Sequence, residues 1–408
     1  MALSTQLKVD HRRYKNLTMN VILHIGTEKT GTTALQSFFT SNRHRIRKAG
    51  FAYLESLGLP SNRKLASYCF NEDRHDDYHV ACGIVSSEKR KKWGKQFLAD
   101  LDNEIKSLDK NIHTVVISNE QFHSRLEHIE EIERVKDILL GYFDSVKVCV
   151  YLRRQDKVAC SLYSTALKCG HSMNNILPGV SSEDHYYNYR VFLNKWSHVF
   201  GEEKLRVRIF ERSELIDNDL IIDFLKSNDL QLGNLDQYLQ PGRENESLLP
   251  EAQEFLRIYN TVVNTNENSH GQRIREQVVP LLEQEYAGKP QLPSKSDAQS
   301  FCEQFAESNR EVAKQWFNRE EIFSSDFSSY PEQTEKYNLE NSKLVEIIAN
   351  LLEAMTNLEQ TQNNQLRKAI IDSPENGTRL LADYFLSTDP LLANTIRQNV
   401  SYKTTCAS

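Results

Sequence analysis

The stretch "VILHIGTEKTGTTALQSFF", residues 21–39, carries the deciding pattern. An apolar run ends at Gly26, the turn "GTEKTGTT" follows, and Leu35, Phe38 and Phe39 then recur at helical spacing. Strand, glycine-bounded turn and helix in that order aim several main-chain N–H groups from the positive end of a helix, which favours a bound anion. Gly26 and Gly31 allow a tight turn and a close backbone approach to a ligand. Thr30, Thr32 and Thr33 add hydroxyl donors, and Lys29 places an ammonium on the loop itself, free to reach the terminal group of a phosphorylated ligand. A Walker loop carries its lysine directly after the second glycine. Here Thr32 holds that position and the lysine stands three residues earlier. No strand-terminal aspartate suited to a magnesium ligand accompanies it, so the loop fits a ligand whose transfer does not depend on a metal.

Outward from this stretch, "NVILHIG" (20–26), an apolar run, and "HTVVIS" (113–118), "VKVCVYL" (146–152) and "LRVRIF" (205–210) are read as short strands. Helical segments separate them, at about 89–108 and at 129–143, where Ile132, Val135, Ile138 and Leu139 share a face. This alternation predicts an α/β fold, a P-loop NTPase-like parallel sheet flanked by helices, with strand C-termini along one ligand-binding edge. Strand signals stop after about Ser247, and "PEAQEFLRIYNTVV", "SDAQSFCEQFAESNREVAKQWF" and "ENSKLVEIIANLLEAMTNLEQ" are read as helices. The expected division is an N-terminal extension (1–19), an α/β domain (20–260) and a helix-rich C-terminal region (261–408). Leu344, Ile347, Ile348, Leu351, Leu352 and Met355 give that last region an apolar face suited to a core or to pairing of two copies into a homodimer.

With 39% hydrophobic and 26% charged residues, the chain has the balance of a globular protein with a real core. A net charge of −6 argues against a general nucleic-acid binder. The basic runs "RHRIRK" (43–48) and "EKRKKWGK" (88–95) are read as solvated faces. Seven scattered cysteines without a C-x-x-C pair, no signal-like N-terminus and no apolar run of ~20 residues point to a cytoplasmic protein without a transmembrane segment.

A second candidate anion site follows the strand "VKVCVYL" in "RRQDKVACSLYSTALKCG" (153–170). Arg153 ends the strand and Ser161 lies in the helix after it. A guanidinium and a hydroxyl across one strand–helix junction can converge on a single phosphate.

Together the two sites resemble the sulfotransferase family that uses 3′-phosphoadenosine 5′-phosphosulfate. That family has a G-x-x-K-[TS]-G-[TS]-[TS] loop, and an arginine followed eight residues later by a serine. "GTEKTGTT" and Arg153…Ser161 match in type, order and spacing, and "ISNE" (117–120), "YLRRQD" (151–156), "SLYSTALKCG" (161–170) and "RENESLLPEAQEFLR" (243–257) extend the likeness to bacterial-type, carbohydrate-sulfotransferase-like members. The resemblance covers roughly residues 20–260. It implies transfer of a sulfuryl group to a hydroxyl of an acceptor, a saccharide or glycoconjugate, with 3′,5′-adenosine bisphosphate as product and no metal required. It implies that Gly26, Thr27, Glu28, Lys29, Thr30, Gly31, Thr32 and Thr33 hold the 5′-phosphosulfate and that Arg153 and Ser161 hold the 3′-phosphate. Arg243 would close over that 3′-phosphate. Lys29 would neutralise charge on the transferred group, and Glu120 would take the acceptor's proton, with His123 the rival base and Ser118 either contacting the cofactor's phosphate or orienting Glu120. Tyr163, Lys168 and "HYYNYR" (185–190) either line an acceptor cleft or pack in the core. Two other readings are a divergent P-loop kinase or NTPase, and a non-catalytic nucleotide-binding helical scaffold.

Overall fold

Strands β1 (Asn20–His24), β2 (Phe51–Tyr53), β3 (Thr114–Ser118), β4 (Ser145–Leu152) and β5 (Leu205–Ile209) make one sheet in the order β2-β3-β1-β4-β5. The computed structural model describes residues 19–242, 247–263, 270–333 and 337–372. All neighbouring strands are parallel, and His24 at the end of β1 lies level with Ser118 of β3 and Cys149 of β4. From β1 the chain turns to one side for β2 and β3, then crosses to the other for β4. The C-terminal end of β1 is therefore the point where connections diverge, the place at which open α/β sheets bind ligands.

Both sheet faces are covered, which explains apolar runs without alternation. On one face Leu23, Val115, Ile117, Val148 and Val150 pack against Phe97 and Leu101 of α5 (Ser87–Lys106), Val135 and Leu139 of α7 (Ile129–Tyr142) and Trp196 of α9 (Tyr189–Phe200). On the other, Ile22, Val116, Cys149 and Tyr151 meet Leu35, Phe38 and Phe39 of α1 (Thr32–Ser41), Ile46 of α2 (Arg43–Lys48) and Phe224 of α10 (Leu220–Ser227). Shorter helices α3 (Arg63–Cys69), α4 (Asp77–Ala81) and α6 (Gln121–Ser124), with α8 (Gln155–Lys168), complete this part. The basic run at 88–95 departs from the solvated-face expectation at Arg90, whose guanidinium donates to the carbonyls of Phe70, Asn71 and Arg74.

In the C-terminal third, α11 (Pro250–Val262), α12 (His270–Glu285), α13 (Lys295–Glu303), α14 (Ala306–Val312) and α15 (Asn341–Asp372) follow without a further strand among the described residues. The single helix expected from "SDAQSFCEQFAESNREVAKQWF" is divided into α13, α14 and a π-turn over Ala313–Phe317. The chain forms two compact units: the sheet with α1–α10, α13 and α14, and a second unit of α11, α12 and α15. In the second unit Leu256, Leu282, Ile347 and Leu351 are buried. Ile348 and Leu352, expected on the same apolar face of α15, are exposed.

Residues Arg154, Gln155 and Asp156 bind α14 and the segment that follows it to the sheet. Arg154 grips Asp156 through two 2.8 Å hydrogen bonds and donates to the carbonyls of Ser324 and Asp326, both at 2.7 Å. The Tyr330 hydroxyl donates to Asp156 at 2.7 Å, and Gln155 donates to Asn309 at 2.8 Å. Asp156 is fully buried; its hydrogen bonds from Arg154 and Tyr330, with the Arg154 charge, outweigh burial and hold its carboxyl below the usual carboxylate range. Among the described residues no helix is long and apolar enough to cross a membrane.

Candidate functional site

The loop between β1 and α1 is rooted on β4. Beyond the end of β1, Ile25 N–H donates to Cys149 O, Tyr151 N–H to Gly26 O, and Thr27 N–H to Tyr151 O, all at 2.8–2.9 Å. The Thr27 hydroxyl adds a 3.0 Å bond to Tyr151 O. One strand thus fixes the loop, and Arg153 follows directly after its last residue, Leu152. Gly26 (φ +96°) and Gly31 (φ +76°) take backbone angles that side chains disfavour. A Cβ at Gly26 would also stand 3.3 Å from Glu120 Cα, so the glycine lets Glu120 lie directly against the loop.

Among the described residues, the amides of residues 28, 29 and 31–33 donate to no protein acceptor, while that of Thr30 closes a turn on Thr27. α1, whose N-cap is Gly31, supplies the last of them with no side-chain cap. Five N–H groups without a protein acceptor at a helix N-terminus form a concave donor set suited to an anion. The threonine hydroxyls divide: Thr30 donates to Thr27 O at 2.6 Å and stiffens the loop, whereas Thr33 is exposed.

Two cations flank this set. Lys29 Nζ donates to Thr165 Oγ1 on α8, and that hydroxyl donates in turn to Ser161 O at 3.1 Å. Burial lowers the Lys29 pKa, opposed by the Glu28 carboxylate and, less strongly, by Glu120. Arg153 donates to Lys29 O at 2.8 Å and sits over the Phe210 ring. Burial pulls its pKa down too. Neither cation has a carboxylate within ion-pair distance among the described residues. Ser161 lies one turn before Thr165 on α8, so the serine expected to join Arg153 shares a helix face with the hydroxyl that holds Lys29. Arg243, expected to close over the site, lies outside the described residues.

Glu120 is the N-cap residue of α6, but its carboxylate does not cap that helix. Oε2 instead accepts a 2.7 Å hydrogen bond from Gln36 of α1. Ser118 does not reach the loop: its hydroxyl lies 2.8 Å from His24 Nδ1 in the sheet. His123 is buried, with Nε2–H donating to Tyr186 O at 3.0 Å, and burial drives its pKa down to about 3.

The "HYYNYR" segment divides its side chains. Tyr186 donates to Glu28 Oε2 at 2.8 Å, tying the segment to the loop between β1 and α1. Tyr189 starts α9 in the core and donates to Arg153 O. Tyr187 packs against Phe301 and Phe305. Tyr163 is buried as well. Gln36, Thr165 and the Tyr186–Glu28 pair escape sequence reasoning, because nothing in their local pattern separates them from ordinary polar helix and loop residues. The one available sign is a glutamine among the apolar residues 35, 38 and 39. No group of three or more metal-ligating side chains is assembled among the described residues.

No protein-family model and no solved structure matches the chain. An uncharacterized protein of Archaeoglobus fulgidus is 24% identical over 177 residues, and the chain spans about half the length of that relative, 47%, using 43% of its own.

Proposed function

We propose that the chain is a sulfotransferase moving a sulfuryl group from 3′-phosphoadenosine 5′-phosphosulfate to a hydroxyl, on a saccharide or glycoconjugate, and that its sheet and β1 loop are of the P-loop type. The observation that carries this reading is the pair of half-buried cations, Lys29 and Arg153, beside five amides that lack a protein acceptor. A partly desolvated cation without a counter-ion is unfavourable, and a bound polyanion relieves that penalty at both residues. The two cations face different parts of such a ligand: Lys29 the phosphosulfate on the loop, Arg153 with Ser161 the 3′-phosphate.

When bound, the donor supplies a sulfuryl group joined to a phosphate leaving group. Glu120 receives the proton of the acceptor hydroxyl as the new S–O bond forms. Lys29 and the loop amides hold the negative charge left on the 5′-phosphate oxygen as the old S–O bond breaks. Glu120 fits the base better than His123, whose Nε2–H is engaged with Tyr186 O and whose burial opposes protonation.

The test incubates the chain with labelled phosphosulfate donor and a panel of glycans, glycolipids and small alcohols, and titrates it with 3′,5′-adenosine bisphosphate. Micromolar bisphosphate binding and label in at least one acceptor are expected. Neither binding nor transfer would overturn the proposal.

A further inference from the structure

Gln36 sits one turn into α1 on the face that buries Leu35, Phe38 and Phe39, and is itself only 4% exposed. A buried amide among apolar neighbours requires partners. Both hydrogen bonds of its amide nitrogen go to the end of β3 and the turn beyond: Nε2 donates to Glu120 Oε2 at 2.7 Å and to Ser118 O at 3.4 Å. The Glu120 carboxylate therefore has one oxygen occupied by a neutral donor. Its other oxygen accepts no hydrogen bond among the described residues. The titratable groups acting on this carboxylate are Lys29 from the loop and Tyr53 from β2, and the Tyr53 hydroxyl is itself committed to Pro60 O.

We propose that Gln36 is the positioning residue for Glu120: its amide anchors Oε2, so that Oε1 is left as the proton acceptor at the loop. This rests on the sulfotransferase reading for Glu120 as base, but the contact itself is independent of it. The hydrogen bond removes a rotational freedom that would otherwise turn the carboxylate off the reacting hydroxyl.

Two substitutions test this. Gln36→Met keeps the volume and removes the donor; turnover should fall 10- to 100-fold while bisphosphate affinity stays within twofold of the parent. Gln36→Glu is isosteric and sets two carboxyl groups against each other. Such a pair titrates in two separated steps, because like charges in contact resist joint ionisation. While the pair holds one proton, the protonated Glu side chain still donates to Glu120 and turnover survives. Loss of that proton breaks the contact, so the Gln36→Glu pH–rate profile should gain an alkaline limb that the parent lacks. A merely structural role for Gln36 would lower the whole curve without adding a limb.

A parallel titration follows the Glu120 carboxyl carbon by NMR in ¹³C-glutamate protein, assigned by its disappearance in Glu120→Gln. Two-step titration in Gln36→Glu supports the proposal. If it appears while no variant or parent transfers sulfuryl groups, the functional reading falls and the hold of Gln36 on Glu120 stands. A single, unshifted step in Gln36→Glu, or full turnover in Gln36→Met, overturns the proposal.

Discussion

Acid lability centred on two buried histidines is the prediction whose size can be worked out furthest. His24 ends β1 with both faces covered, its ring edge-on to Tyr151 and Phe224, and its Nε2 has no hydrogen-bond partner among the described residues. His123 is buried under Tyr186, with Nδ1 likewise unpartnered. Burial lowers both pKa values from 6.5 to about 3. Between those limits the unfolded chain binds a proton at each site and the folded chain does not, so stability rises with pH across the window and is lost as pH falls below 6.5. At pH 5 the loss is about 2 kcal/mol per histidine, about 4 kcal/mol for the pair, against a typical total of about 5–15 kcal/mol. His185, whose pKa is also lowered by burial and by Lys195, adds in the same direction. The buried carboxylates with depressed values, Asp76, Asp156 and Asp223, do not contribute here, since their stabilisation is lost only as pH falls through the ordinary aspartate range and below.

The assay is urea unfolding between pH 5 and 7.5 followed by tryptophan fluorescence. All three tryptophans, Trp93, Trp196 and Trp316, lie in the sheet-bearing unit with the histidines, so the signal reports that unit alone. His24→Asn keeps a polar atom near the Nδ1 position and His123→Gln one near Nε2; each should remove about half of the pH slope, whatever it does to stability at pH 7.5. A parent protein whose unfolding free energy changes by less than about 1 kcal/mol over this range would refute the reasoning, as would an unchanged slope in both variants.

Lys29→Met should reduce sulfuryl transfer by about 10²–10³-fold, the scale for removing one preorganised charge-stabilising group, with unfolding in urea no worse than the parent's because a desolvated ammonium is removed. Arg153→Lys should weaken 3′,5′-adenosine bisphosphate by about tenfold or more in calorimetry, since a lysine cannot hold Lys29 O and a phosphate with one planar fork. In Gly31→Ala the new Cβ would fall 2.5 Å from Leu220 Cδ2 at a φ of +76°, so a stability loss of about 1–3 kcal/mol is expected by urea titration. Asp156→Asn strands the buried Arg154 charge and should cost about 3–5 kcal/mol, with earlier proteolytic cleavage near residues 324–330 as its local sign.

Three of the strands that the sequence revealed, β1, β3 and β4, are largely buried apolar runs, while the edge strand β5 shows instead as an alternation of Leu205, Val207 and Ile209 with Arg206 and Arg208. β2 escaped because three residues, Phe51–Tyr53, show no period, and its strand identity comes from register with β3. The loop was legible for a related reason. Its glycines and lysine must be local to do their work, so type and spacing survive in the linear string. Gln36 and Glu120 lie 84 positions apart and Glu28 and Tyr186 158 apart, and each pair is made only when α1, β3 and the segment before α9 converge.

The run "RRQD" shows why a matched motif can mix two jobs. At the end of β4 the chain leaves the sheet, and consecutive side chains part. Arg153 turns to the loop carbonyl of Lys29, while Arg154, Gln155 and Asp156 turn to α14 and residues 324–330. A sequence match weights all four alike, yet only the first touches the loop between β1 and α1. The other three fix the start of α8, the helix that carries Ser161 and Thr165, and through Thr165 they set where Lys29 rests. The placement of the loop cation therefore depends on chain more than 150 residues further on, through Tyr330 and Asn309. This dependence gives the helical segment after residue 290 a physical part in the site without any contact with a ligand.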